Sequence, residues 1–265
     1  MFIKAPRLPG RFWQCLARGV WLAAALLAGH ASADSSRCVS GGDGHLAEVC
    51  YQNVTGTAPY GHGVLGDTPE WERLVVRALR GPAAGRPSVF TAPRQIFEDI
   101  APRLIDLDFD GRDEIVTVQS SISEGARLAI FRLTDSGQLA LISATPYIGR
   151  PFRWLAPAGA ADLDNDGHIE LAYVDRPHLA KTLRIWRFKN DALSEVARLA
   201  GVSNHKIGWP FIIGGIRTCG AKPTIIVADG GWSKLLAVDL VDGTLEARRL
   251  GPWSASAARL ALRCN

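Results

Sequence analysis

The sequence predicts an all-β fold assembled from a repeated unit, and two observations lead to this prediction. Short segments rich in Val, Ile and Leu, such as EIVTV and LAIF, alternate with turn signals about every eight to twelve residues, and helical periodicity is nearly absent. Two almost identical acidic segments begin at Asp106 and Asp162, 56 residues apart. Repetition at a fixed spacing is typical of structural units that stack on one another.

Residues 1–33 are predicted to be a secretory signal peptide. They contain Lys4, Arg7, Arg11 and Arg18 without an acidic residue, then the apolar run GVWLAAALLAG, then Ala-Ser-Ala. A membrane anchor is the alternative, but eleven apolar residues fall short of the roughly 20 that a spanning helix needs. We therefore expect cleavage after Ala33, a periplasmic or secreted protein, and no membrane insertion after cleavage.

Removal of this segment changes the charge of the protein. The full chain has 30 Lys and Arg against 26 Asp and Glu, and the loss of four basic residues leaves 26 of each. A mature chain without net charge gives no indication of nucleic acid or an anionic membrane as a partner.

Four cysteines follow the signal segment: Cys38, Cys50, Cys219 and Cys264. An even number in an exported chain predicts two disulfides. Of the three possible pairings we favour Cys38–Cys50 with Cys219–Cys264, because each pair closes a local segment. Free thiols are the alternative, and a zinc site is disfavoured because the chain has no CxxC spacing.

The mature chain divides by composition into two parts. Residues 34–65 are rich in glycine and polar residues, and we expect an irregular N-terminal segment pinned by its two cysteines. Residues 66–265 are expected to form the repeat domain.

The repetition continues beyond the acidic segments. ARLAIFRL at residues 126–133 matches KTLRIWRF at residues 181–188, which aligns Arg132 with Arg187. A third copy contains PTIIVAD at residues 223–229, and its loop, residues 218–222, has no carboxylate. A weaker copy precedes the first, with strands expected at residues 74–79 and 88–90.

Units of about 55 residues with three or four strands each predict a β-propeller. Three clear copies and one weak copy suggest about four blades, in a ring that need not be complete. ARLALRC, at residues 258–264, is expected to be a strand that completes the first blade. An open β-sandwich is the alternative architecture.

The two acidic segments read DLDFDGRDE and DLDNDGHIE, and we name them loop 1 (residues 106–114) and loop 2 (residues 162–170). Calcium prefers about six to eight oxygen ligands, and alternate side chains of a tight loop can converge on one ion. Arg112 and His168 would contribute their carbonyl oxygens, and Gly111 and Gly167 would permit the turn. The predicted calcium ligands are Asp106, Asp108, Asp110, Arg112 and Glu114 in loop 1, and Asp162, Asp164, Asp166, His168 and Glu170 in loop 2.

The loops are not EF-hands. An EF-hand requires a glutamate at position 12, where this chain has Thr117 and Tyr173, and β-like segments follow both loops. Asp-Gly turns without an ion are the alternative, but two complete copies favour calcium, because clustered carboxylates repel one another without a cation.

The segments ADLDNDGHIELAYVD (residues 161–175) and IDLDFDGRDEIVTV (residues 105–118) resemble the FG-GAP or VCBS repeat, the blade unit of integrin-α-like β-propellers. The resemblance extends over about residues 101–250. It implies that the aspartate loops bind calcium and brace the blades, while faces and loops bind partners. The chain departs from the family in having fewer repeats and no clear FG-GAP tetrapeptide.

These observations favour a non-enzymatic binding or scaffold module with structural calcium, whose ligand is an unidentified protein or carbohydrate. Trp154 and Trp209, at equivalent repeat positions, are either ligand contacts or wedges between blades. The alternative function is a hydrolase or lyase acting on polysaccharide, with a base such as His178. No nucleophile motif or phosphate-binding loop is present in the sequence.

Overall fold

The computed structural model describes residues 36–54, 60–66 and 69–264. The predicted signal peptide and its cleavage site lie outside the described residues. Within the described part of the chain, no helix is long and apolar enough to cross a membrane.

The prediction of an all-β fold is confirmed. The described residues form three antiparallel sheets and one short helix. The first sheet contains β1 (Ser36–Ser40), β2 (Leu46–Val54), β3 (Trp71–Ala78), β4 (Pro87–Phe90), β5 (Gln95–Phe97), β6 (Arg103–Ile105), β7 (Glu114–Ser121), β8 (Gly125–Leu133) and β9 (Leu139–Ala144). The second contains β10 (Leu155–Ala161), β11 (Glu170–Asp175), β12 (Thr182–Lys189) and β13 (Ala192–Ala200). The third contains β14 (Val202–Ser203), β15 (Gly215–Arg217), β16 (Thr224–Asp229), β17 (Lys234–Val241) and β18 (Thr244–Pro252), and the helix is α1 (Ala255–Ala261).

The same four-stranded antiparallel unit occurs three times. We call β6–β9 the first meander, β10–β13 the second and β15–β18 the third, because in each the strands pair in sequence order. The weak copy at the N-terminus also has its expected strands, β3 and β4, which pair with each other. Strand β5 connects these N-terminal strands to the first meander.

The central strands are buried on both faces, which explains why their sequences are continuously apolar. In β7, Ile115 packs with the N-terminal strands, whereas Val116 packs against the second meander. In β11, Leu171 faces the first meander and Val174 faces the third. Successive side chains of a strand point to opposite faces, so the meanders lie face to face with a hydrophobic layer between each pair.

The outer face of the third meander is covered by α1. Ile226 and Ala237 pack with Ala258 of the helix in a separate hydrophobic cluster. The expected strand at residues 258–264 is therefore wrong. Alanine, leucine and arginine favour helix, and the side chain of Ser254 caps α1 by accepting a hydrogen bond from the backbone N–H of Ala257 at 3.0 Å.

The irregular N-terminal segment expected at residues 34–65 is wrong for residues 36–54, whereas the described residues 60–65 contain no strand or helix. Strands β1 and β2 form a hairpin, and β2 pairs with β3 over most of its length. Val49 and Tyr51, two residues apart on β2, are fully buried against the first meander, and Cys50 between them forms the disulfide with β1. These buried side chains, in a segment otherwise rich in glycine and polar residues, provide the burial that stabilises the hairpin.

The favoured pairing of the cysteines is confirmed. Cys38 and Cys50 form a disulfide between directly opposed residues of β1 and β2. Cys219, in the loop between β15 and β16, is bonded to Cys264, which follows α1. The second disulfide thus ties the helix to the third meander.

Candidate metal centre

The two acidic loops occupy equivalent positions in the fold. Loop 1 joins β6 to β7, and loop 2 joins β10 to β11, so each connects the first two strands of its meander. The final glutamate of each loop is the first residue of the following strand. Each loop therefore lies at the end of its meander where the second strand begins.

The first aspartate of each loop closes the turn. Asp106 accepts hydrogen bonds from the backbone N–H groups of Asp110 at 3.1 Å and Gly111 at 2.9 Å. Asp162 does the same for Asp166 and Gly167, at 3.0 and 2.9 Å. The two glycines have φ values of 85° and 86°, a conformation in which glycine avoids the steric cost of a Cβ atom.

The last residue of each loop is a fully buried glutamate. Glu114 accepts a hydrogen bond from the backbone N–H of Leu107 at 3.0 Å, and Glu170 accepts one from Leu163 at 2.8 Å. A buried carboxylate is costly unless it is paired and hydrogen-bonded. The glutamates therefore require a positive charge nearby.

An arginine from the third strand of each meander supplies that charge. Arg132 on β8 pairs with Glu114 and Asp108, both at 2.7 Å. Arg187 on β12 pairs with Glu170 at 2.6 Å, Asp164 at 2.7 Å and Asp166 at 2.9 Å. Each guanidinium thus contacts the second aspartate and the final glutamate of its own loop, and fixes the loop to the strand.

These ion pairs oppose the effect of burial on the glutamates. Burial raises the pKa of Glu114 and of Glu170, while hydrogen bonds from the arginine and from the backbone act in the opposite direction. For Arg187, desolvation lowers the pKa, but the hydrogen bonds to Glu170 and Asp164 outweigh it and raise the pKa above its ordinary value.

Three of the predicted ligands in each loop come together. One carboxylate oxygen from each of Asp106, Asp108 and Glu114 lies within 4.8 Å of the others, and loop 2 repeats this arrangement with the equivalent residues Asp162, Asp164 and Glu170. Oxygens that bind one calcium ion at about 2.5 Å are separated by no more than about 5 Å. The spacing therefore fits a single hard cation in each loop.

The other predicted ligands lie outside these groups. Asp110 accepts a hydrogen bond from the backbone N–H of Arg112 at 2.8 Å, and Asp166 accepts one from His168 at 3.0 Å. The side chain of Arg112 pairs with Asp135 at 2.7 Å. Coordination of an ion by the carbonyl oxygens of Arg112 and His168 remains a prediction.

The donor chemistry of both loops suits calcium. Each has four predicted carboxylates and one partnering arginine, so a negative charge of about three remains when all the carboxylates are ionised. In loop 2, the Oδ1 atom of Asp164 is buried and has no hydrogen-bond partner among the described residues. A buried carboxylate oxygen of this kind is a suitable ligand for a divalent cation.

Sequence reasoning missed the two arginines as members of the site. It aligned Arg132 with Arg187 only as repeat equivalents. The signal that could have identified them is a charged residue at the same position of two otherwise apolar strands, IFRL and IWRF. In a strand whose neighbouring residues are buried, a repeated arginine indicates a repeated acidic partner.

The two tryptophans considered as ligand contacts differ in the structure. Trp154 is only 2% exposed and packs between the first and second meanders, as expected of a wedge. Trp209 is partly buried and lies near the rings of Trp232 and Trp253. The ammonium of Lys206 is about 5 Å from all three ring centroids. These tryptophans pack against the same hydrophobic cluster of the third meander as α1.

A family model described as an FG-GAP-like repeat matches residues 106–173. The match begins at the first aspartate of loop 1, includes all of loop 2 and ends in β11. A comparison with curated proteins found no match. The segment that carries both acidic loops is therefore an FG-GAP-like repeat.

Proposed function

We propose that this chain is an exported, non-enzymatic binding module in which the two acidic loops hold calcium as a structural brace. The observation that supports calcium most directly is the repeated group of three carboxylates, with oxygens within 4.8 Å of one another in each loop. Both loops lie within the segment that matches the FG-GAP-like repeat. Two disulfides are in keeping with export to an oxidising compartment.

We also propose that the N-terminal strands and the three meanders correspond to four blades of an open propeller arc. The face-to-face hydrophobic layers between successive units support this interpretation. Helix α1 covers the outer face of the third meander, which is the place that a next blade would occupy in a closed ring. An arc with a capped end is consistent with the small number of repeats.

In this proposal calcium acts on stability and not on chemistry. The loops lie between strands, and the arginines hold their carboxylates in ion pairs. A cation bound to carboxylates at both ends of a loop would fix the first two strands of each meander relative to one another. Ligands that bind only the folded state stabilise it by mass action.

The test is thermal unfolding of the purified chain in calcium and in EGTA. At a free calcium concentration about tenfold above Kd, each site is expected to add about 1.4 kcal/mol. For a domain of this size, that corresponds to roughly 4 °C in Tm per site. Equal concentrations of magnesium should give a smaller increase, because magnesium gives up its water ligands reluctantly.

Single substitutions measure the contribution of each calcium site to stability separately. Asp108→Asn and Asp164→Asn are each expected to remove about half of the calcium-dependent increase in Tm. Asp242→Asn, in the exposed β17–β18 turn, is the matched control and should retain all of it. Identical melting of the unmodified chain in calcium and in EGTA would contradict the proposal.

A further inference from the structure

A cavity of about 180 Å³ lies at the opposite end of the strands from the acidic loops. Strand β11 begins at Glu170 in loop 2 and ends at Asp175, and the cavity-lining residues Arg176 and His178 follow directly. Six residues of extended strand span about 20 Å. The cavity is therefore distinct from the candidate metal centre.

Much of the cavity wall is apolar, and part of it is open to solvent. Phe152 is 43% exposed, and Leu179 and Ile207 are exposed at the rim, while Val64 and Trp154 form a buried floor. Phe152 and Arg176 both have positive φ values, of 53° and 45°. Non-glycine residues in this conformation are uncommon, and they tend to occur where a site constrains the backbone.

One imidazole in the cavity is oriented by a buried carboxylate. The Nδ1 atom of His62 lies 2.6 Å from Oε1 of Glu98, which is 2% exposed. Glu98 also accepts a hydrogen bond from the hydroxyl of Ser120 at 2.8 Å. Burial raises the pKa of Glu98, and the hydrogen bonds from His62 and Ser120 oppose that effect. In its ionised form the carboxylate can only accept, so Nδ1 donates to it. The Nε2 atom of His62 is then the ring nitrogen left for a ligand.

A second imidazole has its tautomer fixed by a chain of hydrogen bonds. Nε2 of His205 lies 2.8 Å from the carbonyl oxygen of Trp209, which can only accept, so Nε2 carries the proton. Nδ1 of the neutral His205 ring therefore accepts from Nε2 of His178, at 2.9 Å. The Nδ1 atom of His178 is left unprotonated and able to accept a hydrogen bond.

His178 remains neutral near pH 7. Burial, followed by the neighbouring His205 and His62 rings, lowers the pKa of His178 to about 4. Burial also lowers the pKa of His205. The cavity-lining His178 thus keeps a hydrogen-bond acceptor that does not change with pH across the neutral range.

The two arginines that line the cavity, Arg153 and Arg176, differ in their partners. The carboxylate of Asp175 is paired with Arg176 at 2.8 Å and with Arg184 at 3.1 Å. Arg153 lines the cavity, and among residues 36–54, 60–66 and 69–264 no carboxylate lies within ion-pair distance of it. Its Nη1 atom donates to the carbonyl of Phe152, which holds the side chain at the wall. An anion is the complementary ligand group.

We propose that this cavity binds a small carboxylic acid that has a ring-sized apolar body and a hydroxyl group. Arg153 pairs with the carboxylate, Phe152 and Val64 contact the ring, and Nδ1 of His178 accepts a hydrogen bond from the hydroxyl. A cavity of about 150 Å³ is large enough for benzene, so the volume suits one ring. The inference rests on the proposed binding function and specifies its ligand class.

Isothermal titration calorimetry of the full chain, expressed for export and purified with its disulfides formed, tests this with three probes. These are 4-hydroxybenzoate, benzoate and phenol. We expect 4-hydroxybenzoate to bind more tightly than either of the others. Arg153→Met should lower the affinity for both acids about tenfold, because it removes a charge-assisted hydrogen bond to the carboxylate. The affinity for phenol, which has no carboxylate, should not change. His178→Ala should abolish the preference for 4-hydroxybenzoate over benzoate.

Arg77→Met is the matched control, because Arg77 is a half-exposed arginine on β3. This variant should bind all three probes with the same affinity as the unmodified chain. Thermal unfolding of each variant is measured first, to establish that it is folded. Arg153→Lys keeps the positive charge and should retain most of the affinity for the two acids. The inference is overturned if the acids do not bind at millimolar concentration, if acetate binds as tightly as benzoate, or if Arg153→Met behaves like Arg77→Met.

The calcium experiment distinguishes this inference from the function on which it rests. If calcium raises Tm and no acid binds, the cavity inference alone fails. If the acids bind as expected and calcium has no effect on Tm, the calcium brace fails and the ligand assignment stands.

Discussion

Arg187→Met is expected to destabilise the chain by about 3 kcal/mol in EGTA, since removal of one partner of a buried ion pair leaves an uncompensated charge. Arg187 contacts Asp164, Asp166 and Glu170. After the substitution, the fully buried Glu170 would keep, among the residues that the structure describes, only the hydrogen bond from the backbone of Leu163. Urea unfolding at neutral pH measures the loss.

The same variant should respond more strongly to calcium than the unmodified chain. Arg187 and the proposed calcium ion share the carboxylates of Asp164 and Glu170. Without the guanidinium, calcium becomes the only cation available to them, so its apparent affinity should rise and the stability loss should be smaller in calcium than in EGTA. An equal loss in both conditions would show that the two cations do not compete for these carboxylates.

Arg198→Met provides the control for this experiment. Arg198 pairs with Glu195 at 3.1 Å on β13 but is 65% exposed. Exposed ion pairs contribute between about 0 and 1 kcal/mol. A loss for Arg187→Met no larger than that for Arg198→Met would contradict the structural role assigned to the arginine.

Replacing both Cys219 and Cys264 with serine is expected to cost about 4 kcal/mol, because a disulfide closing a loop of this length restricts the unfolded chain by about that amount. The two cysteines are separated by 45 residues. The bond also anchors the segment after α1, whose Ala258 packs on the third meander. Urea unfolding of the double variant and the oxidised protein measures the difference.

The N-terminal disulfide is the internal comparison. Cys38 and Cys50 are separated by only 12 residues, so the same reasoning gives a smaller cost of about 3 kcal/mol for the double serine variant. A larger loss of unfolding free energy on removal of Cys38–Cys50 than on removal of Cys219–Cys264 would contradict this prediction. It would indicate that the β1–β2 hairpin depends on its disulfide more than on the burial of Val49 and Tyr51.

Features encoded in neighbouring residues could be predicted from the sequence. The turn at Gly111 and Gly167 and the strands after the loops follow from short-range pattern, since strand periodicity and glycine conformation act over a few residues. The disulfides could be inferred because few pairings are possible for four cysteines. The helix at Ala255–Ala261 was missed because the apolar residues of ARLALRC are also compatible with a strand, although its alanines favour helix and Ser254 caps it.

The N-terminal segment shows the limit of composition as a guide. Residues 34–65 contain glycine and polar residues, but β2 is stabilised by pairing with β3 and by the layer beneath it. Neither partner is close in sequence to the residues it stabilises. The same holds for the cavity, whose His62, Arg153 and His178 come from three separate segments.

The sequence by itself determined the repeat, the two acidic loops and the resemblance to FG-GAP repeats, because these depend on residue order over short distances. The tertiary structure alone decided that Arg132 and Arg187 pair with the loops, that only three carboxylates in each loop converge, and that α1 covers the outer face of the third meander. Ion pairing and packing act between residues that only the folded chain brings into contact. Sequence spacing can therefore indicate which residues are available, and the fold determines which of them meet.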